Sequence, residues 1–249
     1  SNKASAGIFK KENSIIIDVT DFGADPSGKK DSTEAIYEAI ESAKEYNNEV
    51  IINFPKGEYQ IYKDNAQKRE YHTSNTNSME NPIKTIGILI EEQEDLTLEG
   101  NGSLFNMHGN MMAIAVVKSE NVKLKNFSWD FEVPTTSEMT VLDIGVEDDK
   151  NYIDYYIPSN FRYQIVDNNT NILWTSEESP YTGKYYWTQK GHHSNSYAVV
   201  IYDPEIEVSR RYQLSSSPFN GVNTITQLNE NTVRIIYNNA IPYGQNIGV

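Results

Sequence analysis

The chain has 249 residues, with 35 acidic side chains against 21 basic ones and a net charge of −14. Nucleic-acid phosphates and anionic membrane surfaces recruit Lys and Arg, so this balance argues against both as partners and suits a neutral ligand. Cysteine is absent, which excludes disulfides, thiolate metal sites and a Cys nucleophile, and no apolar run approaches the roughly 18 residues of a membrane span.

From the start of the chain, Ser1-Asn2 reads as a remnant of tag cleavage, and the polar stretch to Asn13 as a disordered lead-in. An export signal is expected ahead of it, giving a secreted, periplasmic or cell-surface protein. Ile15, Ile16, Ile17 and Val19 form a β-branched run that Gly23, Asp25, Pro26 and Gly28 break with turn chemistry. Asp31 or Ser32 caps a helix whose Ala35, Ile36, Ala39, Ile40 and Ala43 fall on one apolar stripe. Residues 50–61 then read as strand, turn, strand. This order opens many right-handed parallel β-helices, the helix covering the first coil and its unpaired edges.

Between residues 86 and 131 an internal repeat is visible, because Ile88, Ile90, Leu96 and Leu98 recur 26 positions later as Ile114, Val116, Val122 and Leu124. Within each copy the apolar residues alternate, and polar turns separate the strands. Gly100, Asn101, Gly102 and Asn126 are placed at corners, where positive φ is easiest for Gly and Asn. After Ser137 the texture becomes Tyr-rich, with strands expected at 152–157, 161–166, 172–174, 185–188, 198–202 and 233–237, and a hairpin around Asp167–Asn171. The fold class expected is all-β: a right-handed parallel β-helix with an N-terminal capping helix over residues 14–136, an antiparallel β-barrel over 137–243, and a return segment at 244–249.

The blocks Arg69–Thr76, Lys84–Leu89, Leu96–Gly102, Met107-His108-Gly109 and Trp129–Pro134 together resemble the N-terminal part of glycoside hydrolase family 110, the bacterial α-1,3-galactosidases. Tyr163–Asp167 and Ile201–Pro204 look like the small β-barrel inserted into that family's β-helix. The resemblance implies a metal-free, cofactor-free inverting enzyme that releases terminal α-1,3-linked galactose from host-type glycans. Inversion needs a carboxylic acid and a carboxylate base roughly 6.5–9.5 Å apart. In the family these are aspartates on later coils, one in an Asp-Asp-Pro motif, which this sequence lacks. The paired acids Asp148-Asp149 read instead as a solvated turn. The expectation is an N-terminal part of an exported hydrolase that does not itself hold the catalytic pair.

Arg69, Glu70, Tyr71 and Asn75 are read as a polar loop suited to sugar contact, Arg and Asn donating to hydroxyls while Tyr71 stacks. His108 has no His or carboxylate nearby at metal-ligand spacing and is taken as a hydroxyl-binding or structural group. Asp130 and Glu132 alternate with Trp129 and Phe131, so both carboxylates leave one face of a strand about 7 Å apart, the acid/base alternative. Trp187, amid Trp174, Tyr181, Tyr185 and Tyr186, offers either a glycan platform or barrel core. Two other classes remain open: a binding or structural module that breaks no bond, and a pectate-lyase-like or tailspike depolymerase. An uncovered last coil is expected to drive self-association.

Overall fold

A computed structural model describes residues 14–72, 81–135, 138–191, 198–203, 205–213 and 218–238. By its contacts the chain divides into two units, Ser1–Glu132 with Ser179–Gly183, and Val133–Glu178 with Lys184–Val249. No helix among the described residues is long and apolar enough to cross a membrane.

In the first unit, the elements run β1 (Ile15–Asp18), β2 (Ser27–Asp31), α1 (Thr33–Ser42), β3 (Val50–Asn53), β4 (Glu58–Tyr62), β5 (Gln67–Glu70), β6 (Ile83–Glu91), β7 (Leu96–His108), β8 (Met112–Val117) and β9 (Lys123–Phe131). The β-branched run shapes β1 as far as Asp18, whose side chain accepts from Thr20 N and starts a tight turn at Val19. The Asp25–Gly28 turn feeds a short strand, β2, that its turn residues had concealed. Ile36, Ala39, Ile40 and Ala43 bury the stripe of α1 and of the turn that follows it. Asp31 holds the helix start by accepting from Thr33 N at 2.8 Å, whereas the Ser32 hydroxyl is turned to Asp25 N.

The parallel coils are real. Ile17, Ile52, Leu98 and Leu124 stand side by side along β1, β3, β7 and β9. Glu58, Leu104 and Ser128 do so along β4, β7 and β9, and Ile88 and Ile90 lie beside Ile114 and Val116 on β6 and β8. The spacing of 26 thus equals one full coil. Its corners repeat as well: Glu92 and Lys118, and Asp95 and Asn121, all adopt positive φ, and Asn121 Nδ2 donates to Asp95 Oδ1 at 2.6 Å. At the next corner Asn101, Gly102 and Asn126 are left-handed as expected. Gly100 has another reason, since a Cβ there would lie 2.5 Å from Phe127 Cβ and 2.7 Å from the Asn126 carbonyl of the next coil. Past this corner the spacing drops from 26 to 24, Ser103 lying beside Phe127.

Inward side chains are fully covered until the last coil, where cover within the unit ends. Leu98 and Phe105 are 0% exposed, while their neighbours Leu124 and Trp129 are 41% and 53% exposed.

Arg69 and Glu70 lie in a strand and not in the loop expected. Gln67–Glu70 pairs antiparallel with Ile83–Ile86, and Tyr71 N donates to the Pro82 carbonyl. A polar tetrapeptide becomes a strand here because the edge of β6 supplies its backbone partners, which no alternation of its own could signal.

The second unit contains β10 (Thr140–Glu147), β11 (Lys150–Tyr156), β12 (Arg162–Val166), β13 (Asn171–Thr175), β14 (Thr188–Lys190), β15 (Ala198–Asp203), β16 (Val208–Gln213), β17 (Val222–Asn229) and β18 (Thr232–Tyr237). They form antiparallel sheets ordered β10-β11-β18-β17, β12-β13-β14 and β15-β16. The first two share a core of Ile153, Tyr155, Ile172, Trp174, Ile235 and Tyr237. Asp148 and Asp149, both at positive φ, make the two-residue turn between β10 and β11, so they serve as hairpin chemistry. Arg234 clamps Asp154 through two bonds of 2.7 and 2.8 Å, reaches Glu147 at 2.9 Å, and lies 3.9 Å over the Tyr152 ring. The strand expected at 185–188 sits slightly later, as β14.

Replacing Gly100 by Ala pushes a methyl into Phe127 and the Asn126 carbonyl. Overpacking of this kind costs about 1–3 kcal/mol, and urea unfolding of Gly100→Ala should show that loss. An unchanged midpoint would mean that successive coils are not in this contact.

Candidate functional site

Because strands alternate, the residues between the inward Tyr59, Phe105 and Trp129 and the inward Ile61, Met107 and Phe131 must face outward. Two polar lines result across β2, β4, β7 and β9. One consists of Asp31, Gln60, Asn106 and Asp130 in register. The other begins with Tyr62 beside His108 and continues to Glu132, whose N–H donates to the Met107 carbonyl.

The lines are bonded to one another. Gln60 donates through Nε2 to Glu58 at 2.7 Å, so its Oε1 is the acceptor for Asn106 Nδ2 at 3.0 Å and for His108 Nε2 at 2.5 Å. A carbonyl partner requires the proton on His108 Nε2, which fixes the ring's role on this face. Asn106 Nδ2 also donates to Glu132 Oε2 at 3.0 Å. The His108 ring is stacked on Tyr62 at 4.1 Å and 7°. The edge of Tyr181 meets Tyr62 at 6.1 Å, and the Tyr181 hydroxyl donates to Asp31 Oδ2 at 2.7 Å. Burial, with the Asp31 carboxylate beside it, pushes the Tyr181 phenol up to about 12. Gln60 and His108 are buried beneath this network, each 8% exposed, so its accessible part consists of Tyr62, Tyr181, Asn106 and the carboxylates, the surface chemistry that sugar rings and hydroxyls match.

Asp31 and Asp130 lie three strand spacings apart, about 14 Å, too far for an inverting pair. Asp130 and Glu132 keep the separation read from the sequence, but Asp130 Oδ1 accepts from Phe131 N at 2.8 Å and Glu132 holds Asn106. Both are exposed on the last coil.

Beyond Tyr62 and His108, Lys63, Ile83, Lys84, Asn110, Met111 and Met112 border an open groove of about 510 Å³. Lys63 Nζ donates to Asn110 Oδ1 at 2.6 Å, and burial, helped by nearby Lys68, holds its ammonium below the usual Lys range.

Arg69 and Tyr71 form a separate cluster. Arg69 Nε donates to Glu91 Oε2 at 2.8 Å, Tyr71 donates to Glu91 Oε1 at 2.6 Å, and Arg69 reaches the Tyr37 hydroxyl at 3.4 Å. The Tyr71 and Arg69 bonds hold Glu91 below the usual carboxylate range, while burial and the Glu91 bond push the Tyr71 phenol up to about 12. These two side chains tie β5 to the coil, and Glu70 points elsewhere, 3.5 Å from His72. Asn75 and the His192-His193 pair lie outside the described residues. Trp187 packs half-buried against the core of the second unit, its indole Nε1 without a hydrogen-bond partner among the described residues.

Sequence reasoning found His108, Asp130 and Glu132 on this face but missed Gln60, Tyr62, Asn106 and Tyr181. A signal was present: Gln60-Ile-Tyr62 and Asn106-Met-His108 repeat an amide, aliphatic, ring pattern.

A family model described as rhamnogalacturonase A/epimerase, pectate lyase-like, matches residues 16–248. The chain is 37% identical over 228 residues to alpha-1,3-galactosidase A of Streptomyces avermitilis, covering 91% of this chain and 35% of that protein. It is 34% identical over 241 residues to alpha-1,3-galactosidase A of Peterkaempfera griseoplana, covering 96% and 32%. With alpha-1,3-galactosidase B of Bacteroides thetaiotaomicron the identity is 32% over 192 residues, covering 77% and 28%. The chain thus spans about a third of the length of the curated relatives it matches. The resemblance carried by the Arg69–Thr76 block and its successors is borne out.

Glu91 and Tyr71 set two pH limits. The folded pKa of Glu91 lies below the ordinary 4.5, so its contribution is present above that value and lost as pH falls through the folded one. Tyr59, Tyr71 and Tyr181 hold their protons to about 12 instead of 10, so folding stability falls as pH rises between those values. Thermal unfolding should show both limbs. Tyr71→Phe should cost about 1 kcal/mol at neutral pH and flatten the alkaline limb by one tyrosine's share; an alkaline limb identical to the parent's would contradict the Tyr71–Glu91 bond.

Proposed function

Because the chain belongs to the rhamnogalacturonase A/epimerase, pectate lyase-like family, we propose that it is the glycan-handling N-terminal part of an exported inverting glycoside hydrolase acting on terminal α-1,3-linked galactose. The identity with relatives named alpha-1,3-galactosidase over nine-tenths of this chain is the observation that carries the reading. The acidic, cysteine-free composition suits an extracytoplasmic enzyme with a neutral substrate.

In this reading the outward face of β4, β7 and β9 helps to bind the glycan. Tyr62, stacked on His108, and the edge-on Tyr181 offer ring surface, and Asn106 presents an amide whose orientation the buried Gln60 fixes from beneath. Asp130 and Glu132 act as hydroxyl acceptors at the margin of this face. The acid that protonates the leaving oxygen and the base that activates water are supplied by carboxylates outside the described residues, since the outward acids here are either too far apart or held by hydrogen bonds from Asn106 and the Phe131 backbone.

The test combines binding and turnover on one oligosaccharide, Gal-α-1,3-Gal. The 249-residue chain should bind it and release no galactose. Tyr181→Ala should weaken binding about tenfold, the loss of roughly one ring contact with a sugar. Galactose release by this chain that disappears in Asp130→Asn or Glu132→Gln would overturn the assignment of roles.

A further inference from the structure

In the second unit, β12 has one strand neighbour, β13, and β17 has one, β18, among the described residues. Alternation in an antiparallel pair tells which peptide groups are left over. The Ile172 carbonyl accepts from Gly191 N at 2.8 Å, and Ser176 N donates to the Trp187 carbonyl at 3.1 Å, so the even-numbered residues of β13 face β14. Leu173 and Thr175 then face β12, where they stand opposite Gln164 and Arg162. It follows that Tyr163 and Ile165 turn their N–H and C=O groups away from β13, to the outer edge.

The edge of β17 comes to the same place. Ile225 N donates to the Asn169 carbonyl at 2.7 Å, closing the seam at the turn between β12 and β13. Farther along, one side chain crosses it: Gln227 Nε2 donates to the Tyr163 hydroxyl at 2.6 Å. Around this bridge lies an open groove of about 510 Å³, bordered by Phe161, Arg162, Tyr163, Gln164, Gln227 and Glu230.

We propose that this groove is a second, non-catalytic carbohydrate site, which takes one neutral hexose unit of a glycan. Its volume falls within the roughly 300–1,000 Å³ of small-ligand clefts. The outward peptide groups of Tyr163 and Ile165 alternate donor and acceptor, as sugar hydroxyls do, and the half-buried Tyr163 ring adds apolar surface. Arg162 and Glu230 bring opposite charges that cancel, which favours a neutral ligand over an anionic one. An extended peptide would need an uninterrupted edge on which to build a ladder, and the Gln227–Tyr163 bridge interrupts it. A compact ring fits beside the bridge without breaking it.

The site is independent of the hydrolase reading, and one titration separates the two. Methyl α-galactoside, methyl α-glucoside and methyl α-mannoside are added in turn to the ¹⁵N-labelled 249-residue chain while backbone amides are followed by NMR. At least one sugar should shift the amides of Tyr163, Ile165 and Gln227. The double variant Arg162→Ala, Gln164→Ala, which alters two exposed side chains of the edge, should bind about tenfold more weakly at that position and leave shifts at Asn106 and His108 as they were. Tyr163→Phe, which keeps the ring and removes only the bridging hydroxyl, should weaken it too. The proposal is overturned if no neutral sugar moves these amides, if only an extended peptide does, or if the folded variants bind as tightly as the parent. Shifts confined to Asn106 and His108 would refute it while leaving the first glycan face intact.

Discussion

The first unit depends on a ladder of parallel peptide hydrogen bonds in which each coil copies the register of the one before. That copying is a property of the corners as much as of the strands. Glu92 and Asp95 adopt the left-handed conformation that Lys118 and Asn121 adopt one coil later, so successive coils leave the corner in the same direction. Polar bonds between stacked corners, such as Asn121 to Asp95 and Asn101 to Asn53, hold the copies together where no apolar side chain can. Strain at non-Gly residues with positive φ is thereby met by pairing to the next coil.

The outward face follows directly. Once Phe105 and Met107 are committed to the interior, Asn106 and His108 have no choice of direction, and the same holds for Gln60 and Tyr62 on the neighbouring strand. Side chains widely separated in the sequence become a fixed array with about 4.8 Å between rows. In the proposed function, such an array meets the repeated hydroxyls of a glycan. The bonds from Gln60 to His108 and Asn106 restrict the array further, because the orientation of each amide is determined by its neighbour.

Much of this could be read from the residues, and the limits have physical causes. Ile88 with Ile114 and Leu98 with Leu124 announced the coil, because apolar alternation records burial directly. The change from 26 to 24 did not show, since it arises from the three-residue corner Gly100–Gly102 stacking on the single turn residue Asn126. β5 was hidden because Gln67–Glu70 owes its strand form to the edge of β6. β10, β16 and β17 also escaped notice, although each forms a hairpin with its neighbour in sequence, because polar residues interrupt their apolar alternation. The two missed rings and two missed amides of the outward face, Tyr62, Tyr181, Gln60 and Asn106, needed the register before they could be brought together. Trp187 illustrates another case: the aromatic cluster allowed either a platform or a core, and the ring packs half-buried against the core of the second unit.

The stacking itself can be measured in solution. In a perdeuterated, amide-protonated sample, parallel in-register coils predict backbone NOEs joining Ile88 to Ile114 and Leu98 to Leu124, and the shifted register predicts NOEs joining Phe105 to Trp129. Contacts that run antiparallel, or a spacing of 26 maintained past Ser103, would contradict the account.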